Sequence, residues 1–92
     1  METDMPIDYA KESELLKALA HPVRLRMVEG LLGRECNVNK MVKALGLPQS
    51  TVSQHLGILK SRGIVRIRKE GVKTCYRIND DRIAALIKLL GK

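Results

Sequence analysis

The chain has 92 residues, 17 Lys/Arg against 10 Asp/Glu and a formal net charge of +7, and it contains no Phe or Trp and only two tyrosines, Tyr9 and Tyr76. That length fits one modest domain with an aliphatic core and excludes two, while the scarcity of aromatic rings argues against the stacking surfaces of single-strand or RNA-binding sheets. No run approaches the roughly 18 apolar residues needed to cross a bilayer, and the acidic N-terminus lacks the basic and apolar regions of a signal peptide, so no membrane partner and a cytoplasmic location are expected. In that reducing compartment the two cysteines are expected as free thiols.

In chain order, Tyr9 to Ala20 reads as a helix with Leu15, Leu16 and Leu19 as its apolar stripe and Glu12, Glu14 and Lys17 opposite. His21-Pro22 punctuates the chain: His21 stands at a cap position, and Pro22 suits the first helical residue, whose N–H would be unpaired anyway. The second helix runs to about Leu32 and is apolar nearly all round, which makes it the central core helix. Gly33 closes it, Glu35 to Val38 reads as a short extended piece, and a third helix spans about Asn39 to Leu45. Gly46 then turns the chain tightly into a fourth helix.

That fourth helix carries the most information. Val52, Leu56 and Leu59 are spaced to share one buried face. The other face is small and polar: Gln49, Ser50, Ser53 and Gln54 carry hydrogen-bonding groups and leave room for close approach to a groove, as the second helix of a helix-turn-helix requires for reading base edges. Gly63 ends the helix through positive φ, and Lys60 and Arg62 complement the negative end of its dipole. Ile64 to Arg68 and Lys73 to Ile78 alternate apolar and polar residues around Glu70-Gly71, which predicts a β-hairpin with basic residues near its tip, a wing. Asn79 is read as the cap of a last amphipathic helix, in which Ile83, Leu86, Ile87 and Leu90 share a face.

The fold class is therefore mainly α with a small β-hairpin, a winged helix-turn-helix in the order α-α-(β)-α-α-β-β-α, with residues 1–92 as one DNA-binding domain. Charge follows the same division. Residues 36–79 hold 9 Lys/Arg against 1 Asp/Glu, whereas residues 1–35 hold 5 against 7. Positive charge concentrated around a groove-fitting helix is the footprint of contacts to duplex DNA phosphates. The terminal helices, about 9–20 and 80–90, bear apolar stripes that a twofold mate would bury, which predicts a homodimer.

At Leu19-Ala20-His21-Pro22-Val23-Arg24-Leu25-Arg26 and at Gln49 to Leu56 the sequence resembles the ArsR/SmtB family of bacterial and archaeal repressors, over roughly residues 13–78. The resemblance implies a homodimer joined through its terminal helices, bound to an imperfect palindromic operator and released by an effector. Carried over by position, Gln49, Ser50, Ser53 and Gln54 would read bases, while Lys40, Lys60, Arg68, Lys69 and Lys73 would hold phosphates or the minor groove. Thr51 would contact the backbone or support the turn, and His55, at a position often occupied by His in the family, would either touch DNA or pack between helices.

The effector is where the sequence departs from the family pattern. Relatives that sense thiophilic metals carry Cys-x-Cys in the segment beginning with Glu35, where this chain has Asn37 and Asn39 with Cys36 one place early. Relatives that sense zinc-like metals on the final helix use Asp and His, and residues 80–92 contain no His. No metal and no cofactor is therefore expected, a site shared across the dimer being the one metal arrangement these ligands allow. Other relatives sense oxidants or persulfide through paired thiols, which makes Cys36 and Cys75 the candidate thiol sensor. Strand parity weighs against the pair: with Thr74, Tyr76 and Ile78 facing the core, Cys75 turns outward while Cys36 turns inward with Val38.

An enzyme is the weakest reading, since there is no glycine-rich phosphate loop, and Ser53 and His55, two apart on a helix, do not face each other. The alternative of another class is a winged-helix protein-interaction or assembly scaffold that does not read DNA sequence.

Overall fold

The computed structural model of the chain describes residues 6–33 and 37–91, apart from the side chains of Glu70 and Lys73. The elements are α1 (Tyr9–Leu19), α2 (Pro22–Gly33), α3 (Val38–Leu45), α4 (Gln49–Ser61), β1 (Val65–Glu70), β2 (Lys73–Ile78) and α5 (Asp81–Gly91). This is the predicted winged helix-turn-helix order, with one difference before α3. Val38 is already helical, because the extended Asn37 (φ −93°, ψ 171°) accepts the Lys40 N–H on its side chain at 2.9 Å and so starts the helix one residue early. Glu35 and Cys36 lie outside the described residues.

Polar side chains also cap the starts of α1, α2 and α5. Asp8 caps α1 by accepting the Lys11 N–H at 3.1 Å, and His21 caps α2 through Nδ1, which accepts the Val23 N–H at 3.1 Å. At α5 the cap is Asp80, not Asn79: Asp80 Oδ1 accepts the Arg82 N–H at 2.9 Å, whereas the Asn79 N–H is committed to the Ile64 carbonyl at 2.9 Å. Asn79 still belongs to the end of the hairpin.

One cluster of buried side chains joins all the helices. α1 contributes Leu15, Ala18 and Leu19, α2 contributes Met27, Val28 and Leu31, α3 contributes Met41, and α4 contributes Val52, Leu56 and Leu59. Ile64 and Val65 add the entry to the wing, and Ile83 is the buried anchor of α5. α2 packs against α1, α4 and β2, the central place its all-round apolar sequence predicts. In α1, however, Ala18 lies in the buried stripe and Leu16 does not, being 53% exposed.

Glycine punctuates both ends of the reading unit. Gly46, at φ 69°, ends α3 and returns its N–H to the Val42 carbonyl at 2.9 Å. Gly63, at φ 74°, ends α4: its N–H bonds the Lys60 carbonyl and the following Ile64 N–H bonds the Leu59 carbonyl, both at 3.0 Å, the paired closure of a Schellman motif. That closure drops Ile64 into the core and aims β1 away from α4.

β1 and β2 pair antiparallel with Val65 opposite Ile78, Ile67 opposite Tyr76 and Arg68 opposite Cys75. The two-residue loop Gly71-Val72 has positive φ at Gly71 alone, the pattern of a II′ hairpin turn.

Candidate nucleic-acid interface

α4 is held from behind by Val52, Leu56 and Leu59, all buried, and by its packing against α3, α2, α1 and β1. The helical repeat then turns Ser50, Ser53, Gln54 and Gly57 away from the core, Gln49 stands at the open first turn, and all five are exposed. The turn Gly46-Leu47-Pro48 brings the helix in with no side-chain hydrogen bond capping its N-terminus. The first amides of α4 and the positive end of its dipole therefore open towards solvent beside Gln49 and Ser50, which favours a phosphate oxygen there. Thr51 is half-buried at the edge of the exposed face, and Lys40 on α3 and Lys60 near the end of α4 are exposed cations flanking it.

The wing splays its cations to both sides. Lys69 shares a face with Val65, Ile67, Tyr76 and Ile78, while Arg66 and Arg68 share the opposite face with Cys75 and Arg77. Arg68 and Lys69 are exposed, and Val72 stands fully exposed at the tip. The Lys73 side chain lies outside what the structure describes. Cys75 is half-buried and on the face away from Tyr76, the parity the sequence predicts, but its candidate partner Cys36 falls outside the described residues.

His55 occupies the flank of α4 rather than its exposed crown. Arg24 Nη1 lies 3.1 Å from His55 Nδ1, Arg24 Nε donates to the Ala18 carbonyl, and the His55 and His21 rings are 4.7 Å apart at an interplanar angle of 53°. Burial, and then the neighbouring His21 and Arg24, hold the His55 imidazole below its usual pKa. This cluster ties the end of α1, the start of α2 and the middle of α4 together. Sequence reading missed Arg24; the available signal was its place three residues after the capping His21, on the same side of the first turn of α2. Among the described residues, no group of three or more His, Cys, Asp or Glu is gathered as a metal ion needs.

A further surface lies between α1 and α5. Leu15, Leu16, Ala85, Leu86 and Leu89 line an apolar groove, bordered by the ion pair of Arg82 with Glu12 at 3.1 Å. Leu89 and Leu90 are 75% and 69% exposed.

Residues 21–66, from the capping His21 through the helix-turn-helix into β1, match the family described as bacterial regulatory protein, arsR family. The chain belongs to the ArsR family. Members are winged helix-turn-helix transcriptional regulators rather than enzymes. This ArsR-family chain is 45% identical over 84 residues to the HTH-type transcriptional regulator MJ1325 of Methanocaldococcus jannaschii, across 89% of this chain and 93% of that one. It is 41% identical over 92 residues to the transcriptional repressor PagR of Bacillus anthracis, across 95% and 91% of the two chains. The PagR crystal structure is similar with a TM-score of 0.83 over 89% of this chain and 94% of that one. The solution structure of the homodimeric winged helix-turn-helix DNA-binding domain Mb0332 of Mycobacterium bovis is similar with a TM-score of 0.81 and 32% identity, over 99% and 87%.

Proposed function

We propose that the chain is a cytoplasmic, sequence-specific transcriptional repressor that works as a homodimer on an imperfect palindromic DNA operator and is released by an effector. The observation that carries this reading is the exposed face of α4, where Gln49, Ser50, Ser53 and Gln54 stand clear of the core at an uncapped helix N-terminus. Those four residues read base edges in the major groove. Lys40, Thr51 and Lys60 take the phosphates beside α4, and Arg68, Lys69 and Lys73 bring the wing to the backbone or minor groove. The whole of residues 1–92 acts as one domain, with α1 and α5 as the dimer surface. The apolar groove between those two helices and the homodimeric state of Mb0332 support that assignment. A twofold mate repeats α4, so the half-sites lie about one DNA turn, roughly 34 Å, or a multiple of it apart. A thiol-directed effector has Cys36 and Cys75 as its candidate seat.

Two substitutions separate reading from holding. Gln54→Ala should cost about 1–3 kcal/mol on the preferred duplex and little on a scrambled one, because a bidentate amide contact discriminates between bases. Lys69→Ala should weaken both duplexes alike and flatten the salt dependence. Fluorescence anisotropy of each variant on both duplexes checks this, and equal losses for Gln54→Ala on the two would overturn the role given to α4.

Gly57 supplies an independent check. It sits inside α4 opposite the core, and a Cβ built there meets nothing within 4 Å in the chain. Gly57→Ala should therefore stabilise the fold by up to about 1 kcal/mol through helix propensity. The same substitution should weaken DNA binding, because the added methyl enters the space between α4 and the groove. Urea unfolding and anisotropy on one sample give both numbers; higher stability with unchanged affinity would place DNA elsewhere.

A further inference from the structure

We propose that Arg24 is a positioning residue that locks recognition helix α4 through a neutral His55, so that protonating His55 frees the helix and weakens DNA binding. The inference rests on the DNA-reading role of α4 proposed above. A guanidinium only donates, so the 3.1 Å approach of Arg24 Nη1 to His55 Nδ1 makes Nδ1 the acceptor and leaves the ring proton on Nε2. Arg24 cannot swing away to suit a second proton, because its Nε is bonded to the Ala18 carbonyl at the end of α1. The neighbouring ring is committed in the same sense: His21 Nδ1 accepts the Val23 N–H and caps α2.

A proton on His55 Nδ1 would therefore point one donor at another and place two cations in contact, with the second imidazole 4.7 Å away. Among the described residues no ion pair with His55, His21 or Arg24 compensates. From α2 the charged group facing His55 is Arg24, from the α1–α2 junction it is His21, and α4 contains no carboxylate. The acidic residues of α1 are engaged elsewhere, Glu14 with Lys17 and Arg62 and Glu12 with Arg82. Among the described residues no carboxylate pairs with His21, Arg24 or His55. Relief requires the His55 ring to part from Arg24, and a shift of α4 against α1 and α2 that does so displaces Gln54, the adjacent residue on the exposed face.

The direction with pH follows from which state takes the proton first. Above the ordinary imidazole pKa of about 6.5, both the locked and the loosened states are neutral and the lock is fully in force. Below it the loosened state protonates while the locked one resists, so the balance moves towards the loosened state by up to about tenfold one pH unit below that value, and affinity falls on acidification by no more than that. A phosphate contact by His55 would have the opposite sign, because an imidazolium binds phosphate better than a neutral ring.

The test measures affinity at pH 7.5 and pH 5.5, at constant ionic strength, on a duplex enriched from a randomised library by repeated selection on the protein. The expected result is weaker binding at pH 5.5 for the wild type, by up to about tenfold. His55→Gln, whose side-chain oxygen can accept from Arg24 but never charges, should lose most of that step, whatever its affinity at pH 7.5. Equal or tighter wild-type binding at pH 5.5, or an undiminished step in His55→Gln, would overturn the proposal. The ¹⁵N shifts of the His55 ring in the unbound wild type should show a bare Nδ1 and a protonated Nε2 at pH 7.5, and the opposite tautomer would also overturn it. That readout needs neither DNA nor a folded variant, so a protein that binds no duplex would defeat the functional reading, and the opposite tautomer would separately defeat the lock.

Discussion

Leu89→Glu should leave each protomer folded and lower DNA affinity by about 10²–10⁴, the range lost when two linked contacts become one. Leu89 is 75% exposed on α5, so a carboxylate there costs the isolated chain little. In the proposed dimer the same position lies in the apolar groove with Leu16 and Leu86, and the twofold mate buries a second such carboxylate in its own groove. Removing water from an unpaired charge in that groove costs more than the leucine contacts it replaces contributed. Sedimentation equilibrium should show the mass fall from dimer to monomer, with circular dichroism unchanged. A variant that stays dimeric and binds DNA as tightly as wild type would move the interface off α1 and α5.

Leu56→Ala should cost about 2–5 kcal/mol of folding stability, a large share of the ~5–15 kcal/mol typical of a domain. Leu56 is 2% exposed at the middle of the inner face of α4, where it backs the same turns that present Ser53 and Gln54 outward. Its truncation removes apolar contact and leaves a cavity under the reading helix, so DNA binding should weaken together with stability. Ser53→Ala, three residues earlier at an exposed position, should change stability by no more than about 0.5 kcal/mol. Urea unfolding of both variants checks the contrast, and similar costs at the two positions would mean that the faces of α4 are misassigned.

Those two faces were legible in the sequence because a helix converts spacing into direction: Val52, Leu56 and Leu59 could only share one side, and the small polar residues were left the other. Gly46 and Gly63 were legible because each position needs positive φ, and Cys75 because strand parity against Tyr76 leaves one choice. The errors came where two local signals competed. Asn79 and Asp80 are both good caps, and the choice fell to Asp80 because α5 starts at Asp81, which puts the Arg82 N–H within reach of the Asp80 carboxylate. Leu16 and Ala18 compete for the inner face of α1, and propensity cannot say which side α2 and α4 approach from. The place of Arg24 beside His21 was legible but its contact with His55 was not, since that contact joins residues 31 apart that meet only after α2 and α4 have packed. His55 looked ambiguous in sequence for the same reason: it stands at the boundary between the buried and exposed faces.

The most direct test of sequence reading by α4 is the affinity of the wild-type protein for a library-selected duplex against a scrambled duplex of the same composition, at two salt concentrations. The account predicts a preference of at least about 10³-fold, with both affinities falling as salt rises. Equal affinity for the two duplexes would contradict it and leave the basic face to a protein partner in an assembly scaffold.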